Sequence, residues 1–132
     1  MKGETNLNKL LQQMSPHLNE GTYVFCSVPI DFDTKNHRII ATFLEQEGKT
    51  LILEQATADV LGLSYPSLMA WITLEVHSAL EAVGLTAAFA TALGKAGISC
   101  NVMAGFYHDH IFVGFNDAEQ AMLELQKLSQ VS

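Results

Sequence analysis

The densest group of chemistry-bearing side chains in this sequence is the run His108-Asp109-His110. Imidazole and carboxylate are both metal ligands, and His77 or His17 would supply a further donor. The spacing argues against a closed site, because a tight hairpin here splays the two imidazoles and only an extended turn brings them to one side. No His-Glu-x-x-His or Cys-x-x-Cys accompanies them, and neither Cys26 nor Cys100 is close in sequence. The plainer reading is a polar hairpin tip with His110 and Tyr107 stacked across the strands. Glu75, His77, Glu81 and Asp109 are acid–base types, yet no spacing rule couples any two of them. Nucleophile elbow, P-loop and dinucleotide fingerprint are all missing. The sequence thus carries no catalytic motif and implies no cofactor. A metal site at His108, Asp109 and His110 stands as an alternative to a site without metal.

Charge narrows the partners. Fourteen acidic residues against seven basic give a formal net charge of -7 over 132 residues, which disfavours nucleic acid, since phosphates reward Lys and Arg. Only 16% of residues are charged while 48% are hydrophobic. A typical soluble domain carries roughly 25% charged residues, so part of the surface is expected to be covered by another copy of the chain or by a partner. The first fourteen residues contain no apolar h-region. The stretch from Leu80 to Leu93 is broken by Glu81, Gly84 and two threonines, short of the ~20 residues a span needs. A cytoplasmic protein with no membrane partner is expected. Cys26 and Cys100 sit in apolar, β-branched runs and read as small buried hydrophobes rather than a disulfide.

The elements that must position these residues follow from periodicity. Leu7, Leu10, Leu11 and Met14 have helical spacing, and Ser15-Pro16 ends that helix. Strand-like runs follow at 22–28, 38–44 and 50–53, with a charged loop at 31–37 and a short helix at 58–61 stopped by Gly62. In 69–77, Ala70, Ile72, Leu74 and Val76 alternate with Trp71, Thr73, Glu75 and His77. A helix over 85–96 buries Leu85, Phe89, Ala92, Leu93 and Ala96 and stops at Gly97. Strands at 98–107 and 110–115 then form a hairpin. With His108-Asp109 as the turn, Phe106 faces Ile111, Ala104 faces Val113 and Val102 faces Phe115, an apolar face throughout. His-Asp is a poor two-residue turn, so a four-residue loop is the other possibility. Asn116 caps a last helix, with Glu119 three residues on as in a capping box, and Ala118, Ala121, Met122, Leu125 and Leu128 form its buried stripe.

The second half therefore reads β-α-β-β-α, a ferredoxin-like α+β unit lacking its final strand. The bare edge must be filled by a strand from the first half or by another molecule. The division expected is an N-terminal helix with an incomplete lobe over 1–67, completing the sheet of a lobe over 68–132.

The stretches Ala70-Trp71-Ile72-Thr73-Leu74, Val83-Gly84-Leu85-Thr86-Ala87-Ala88, Gly97-Ile98-Ser99-Cys100-Asn101-Val102 and Tyr107-His108-Asp109-His110 resemble the small bacterial ACT-domain proteins. That group is related to the regulatory domains of aspartate kinase, and Gly21-Thr22-Tyr23-Val24-Phe25-Cys26 fits it too. The first half lacks the loop-helix-strand signature of a complete second ACT unit. The resemblance implies an ACT-type ferredoxin-like fold and a regulatory, non-enzymatic role. It also implies a small effector, often an amino acid, bound where two modules meet in a homodimer or tetramer. Carried onto this sequence, the site is Val83, Gly84, Leu85, Thr86, Ala87, Asn101 and Val102. The chemistry agrees: Gly84 allows close backbone approach, the N–H groups opening the helix suit a carboxylate, Thr86 adds a hydroxyl, and Asn101 both donates and accepts. The plainer readings are a turn glycine, a first-turn threonine and an asparagine satisfied by backbone. An interaction module without a ligand is the other reading, with Trp71, Met103, Tyr107 and Phe112 as interface anchors.

Overall fold

The computed structural model describes residues 7–75 and 84–131. In chain order the elements are α1 (Leu7–Gln13), β1 (Ser15–Leu18), β2 (Tyr23–Val28), β3 (Ala41–Leu44), β4 (Lys49–Glu54), α2 (Gln55–Val60), β5 (Met69–Glu75), α3 (Leu85–Lys95), β6 (Cys100–Ala104), β7 (Asp109–Gly114) and α4 (Ala118–Val131). Two compact units form: one from residues 21–69, the other from the residues on either side of them. Of the described residues, 7–20 group with 70–75 and 84–131.

In the larger unit the strand order is β1-β5-β7-β6. The edge beside β5 is filled from within the chain by β1, which pairs antiparallel from Ser15↔Glu75 to Leu18↔Ile72. Pro16 has no N–H to give a ladder, and an outermost strand is where that omission is tolerated. On the inner face, alternation along β5 buries Ala70, Ile72 and Leu74 against Leu85, Phe89 and Leu93 of α3, Ala121 and Leu125 of α4, and Leu11 and Met14. The α4 stripe is that expected; along α3, Leu85, Phe89 and Leu93 are buried, whereas Ala92 is only half-buried and Ala96, past the last turn, is exposed. Gly97, at φ +77, ends α3, and Ile98 N–H returns to Leu93 O at 2.9 Å.

The β6–β7 hairpin takes a different register from the two-residue turn. Val102 pairs with Ile111 and Cys100 with Val113, and Gly105–His108 form a four-residue loop closed by Gly105 N–H donating to His108 O at 2.9 Å. A type I′ turn needs positive φ at both central residues, and no described non-glycine residue has one. The slip is even, so each side chain keeps its face. It nonetheless leaves Phe106 (85% exposed) and Phe115 (44%) outside the expected core, and on edge strand β6 Val102 and Ala104 are exposed as well. Phe115 instead opens a 3-10 turn, Phe115–Asp117, that contains Asn116. The last helix therefore starts at Ala118, and Asn116 is not its N-cap.

The smaller unit is an antiparallel sheet β3-β4-β2 whose Val24, Cys26, Val28, Leu51 and Leu53 pack around Ala58 of α2. Gly48 sits in the β3–β4 turn, where a Cβ would lie 2.8 Å from Val28 O. The pair Tyr23↔Met69 brings the unit's two ends together.

Candidate functional site

The predicted ligand residues fall into two groups. Gly84 holds φ +95 and caps α3; a side chain there would also approach Leu7 Cδ2 to 3.3 Å. Its carbonyl accepts the N–H of Ala88 at 2.8 Å. The N–H groups of Leu85, Thr86 and Ala87 precede that bond and have no acceptor within the helix. Thr86 and Ala87 face outward, whereas Leu85 is 5% exposed and belongs to the core. Val83 lies outside the described residues, as do His77 and Glu81. Asn101 and Val102 are exposed on β6, the terminal strand of its sheet. They follow the C-terminal end of α3, an eleven-residue helix about 16 Å long. Within one chain, then, the helix start and Asn101 occupy opposite ends of α3 and do not converge.

A second cluster is built on the other face of the same sheet. Trp71 and Thr73 of β5 stand beside His110 and Phe112 of β7. Trp71 Nε1 donates to His110 Nδ1 at 3.0 Å, and Thr73 Oγ1 lies 3.2 Å from the same nitrogen. An indole N–H can only donate, so Nδ1 is the acceptor and His110 is the neutral Nε2–H tautomer. Asn19, just past β1, donates its Nδ2 to Thr73 Oγ1 at 2.9 Å and to Trp71 O at 3.2 Å. The indole stacks on Phe112 with centroids 6.0 Å apart and planes at 19°. Burial lowers the His110 pKa first, helped by His108 and opposed by Asp109. Burial raises the Asp109 pKa, and both histidines counteract it.

The expected stacking of His110 on Tyr107 is replaced by this contact with Trp71. Tyr107 is 81% exposed and meets Phe106 edge-on. His108 stands exposed in the loop, while Asp109 and His110 are successive strand residues that point to opposite faces. Among the described residues no three His, Cys, Asp or Glu side chains are grouped to hold a metal. Cys26 is buried and Cys100 half-buried, both as free thiols.

Sequence reasoning missed a cavity of about 530 Å³ in the smaller unit, lined by Phe25, Ser27, Thr50, Ser64, Tyr65 and Pro66, with Cys26 beside them. Tyr65 is fixed there by Gln55 Nε2 at 3.0 Å and by its own donation to Asp59 Oδ1 at 2.8 Å. Among the described residues no charged side chain lines the space, so no pattern of charge or ligand spacing marks it in the sequence.

An ACT-domain family model matches residues 2–70, and a second ACT-domain model matches residues 69–127. No curated protein matches the chain significantly. Among solved structures, a Vibrio cholerae protein of unknown function, described as a "possible transport protein", is 54% identical, with 94% of this chain and 96% of that one covered and a TM-score of 0.87. A putative C-terminal regulatory domain of aspartate kinase from Porphyromonas gingivalis is 14% identical, with 86% and 95% covered and a TM-score of 0.62. The aspartate kinase of Clostridium acetobutylicum, an allosteric enzyme, is 12% identical, with 87% of this chain but 34% of that one covered and a TM-score of 0.63. At these identities, the regulatory domain and the kinase are like this chain in fold alone. No described helix is long and apolar enough to cross a membrane.

Proposed function

The chain belongs to the ACT-domain family, and from that premise we propose that it is a regulatory protein binding a small effector, an amino acid, between two of its copies. The observation that carries this reading is the opening of α3. Gly84 at φ +95 opens the helix, whose first-turn N–H groups have no acceptor within it, and Thr86 and Ala87 there are exposed, a setting suited to a carboxylate. Asn101 supplies the complementary amide from an edge strand. Because α3 separates the two groups within one chain, a ligand touching both takes the helix start from one copy and Asn101 from another. Oligomerisation then belongs to the site itself, and effector binding shifts the population of the interface that contains it.

Thermal unfolding with each common amino acid tests this reading. A ligand present at about 100 times its Kd stabilises the native state by about 2.7 kcal/mol, a shift of several degrees in Tm for a chain of this size. We expect one amino acid to give such a shift, and Asn101→Ala and Thr86→Ala each to reduce it. The exposed Phe106 and Tyr107 favour a second reading, an interaction module without a small ligand. That reading takes over if no amino acid moves the melt and the oligomeric state ignores all of them.

A further inference from the structure

We propose that His110, Trp71 and Thr73 form a proton-operated latch, closed while His110 is neutral and opened when Nδ1 takes a proton. The argument rests on donors and acceptors. In the closed state the single lone pair of Nδ1 faces the Trp71 N–H at 3.0 Å and the Thr73 hydroxyl at 3.2 Å. A proton on Nδ1 sets N–H against N–H. Thr73 tolerates the change, because its hydroxyl both donates and accepts and can keep its bond from Asn19 at 2.9 Å. Trp71 cannot, because indole has no acceptor, so protonation is read out at the indole.

The surroundings hold the imidazole in place. A Cβ on Gly105 would lie 3.3 Å from both Cδ2 and Nε2 of His110, so the loop backbone rests against the ring edge remote from Trp71. Among the described residues, the titratable groups adjoining the latch in sequence or register are His108 and Tyr107 in the loop, Asp109 beside it on β7, Glu75 two residues beyond Thr73 on β5, and His17, which pairs with Thr73 from β1. On β6 its cross-strand partner is Met103, and the neighbouring pair is Asn101↔Phe112. Trp71 stacks on Phe112, so reorienting the indole disturbs the ring that lies opposite Asn101. The latch itself does not depend on what, if anything, Asn101 binds.

Nuclear magnetic resonance on the full chain decides the matter. Long-range ¹H–¹⁵N spectra at neutral pH should show His110 protonated at Nε2 and bare at Nδ1. On acidification the Trp71 indole resonance should move with the same midpoint as His110, below the ordinary imidazole value of about 6.5. In His110→Gln, whose amide oxygen accepts from indole at any pH, the indole should no longer titrate in that range. A proton on Nδ1 at neutral pH, an indole that stays still while His110 titrates, or an indole titration that survives His110→Gln overturns the proposal. If His110→Gln does not fold, the wild-type titration is sufficient alone.

Discussion

Gly105 decides how closely the hairpin can hold His110. A methyl group there would meet His108 O at 2.9 Å as well as the imidazole at 3.3 Å, and a backbone oxygen cannot step aside as a flexible side chain can. Gly105→Ala should therefore destabilise the protein by roughly 1–3 kcal/mol, the usual cost of overpacking, seen as a lower urea midpoint; an unchanged midpoint would contradict the close approach. The pH dependence has a definite sign. Burial depresses the His110 pKa in the folded chain, so the unfolded chain takes up protons first, and stability is lost as pH falls below about 6.5 toward the folded value. Asp109 works in the opposite sense, since burial raises its pKa and its neutral form is favoured on folding, costing stability as pH climbs from the unfolded value toward the raised one. Urea midpoints at pH 7.5 and 5.5 should differ more in the wild type than in His110→Gln. The sequence marks His110 as chemically able but pairs it with Tyr107, a neighbour in the chain. Its actual partner, Trp71, is 39 residues away and becomes a neighbour only through the β5–β7 pairing, which no local pattern encodes.

Elements with enough length to show a period are readable in advance, and those without are not. Leu85, Phe89 and Leu93 are all buried along α3, and Phe89→Ala should cost about 3–5 kcal/mol by leaving a cavity. Gly97→Ala should cost about 1–2 kcal/mol through its left-handed φ alone, since nothing lies within 4 Å of the added Cβ. Equilibrium unfolding of the pair separates the two mechanisms; equal losses would mean that one assignment fails. β1 shows the other case. The need for a strand at the bare edge is legible in the β-α-β-β-α order, but Ser15-Pro16-His17-Leu18 has neither alternation nor β-propensity to identify it. Pairing with β5 and the Asn19 bonds to Trp71 O and Thr73 Oγ1 make it a strand. The hairpin register is an intermediate case, because both candidate registers put the same residues on the same faces and only turn chemistry separates them.

At the scale of the whole molecule, Gly84, Thr86 and Asn101 are legible as residue types suited to the proposed ligand, while the length of α3 between them matters only once the fold shows which elements stand side by side. The closure of the larger unit by β1 also biases the order in which the chain folds. Residues 19–68 lie between β1 and β5. Closing that loop in an unfolded chain is entropically unfavourable, whereas once Tyr23 has paired with Met69 only a few flexible residues separate the strands. On a logarithmic loop-closure law the difference is about 2 kcal/mol. The intervening segment thus acts as a clamp whose closure favours, without being required for, the pairing of β1 with β5. Leu51→Ala, in the core of the smaller unit, should therefore slow the refolding phase reported by Trp71, the only tryptophan and a residue of the larger unit. Stopped-flow fluorescence measures that rate directly, and an unchanged rate would show that the two units fold without regard to each other. During synthesis the same order follows from chain polarity: β1 emerges first, yet it waits without a ladder partner until the intervening segment and β5 have followed it.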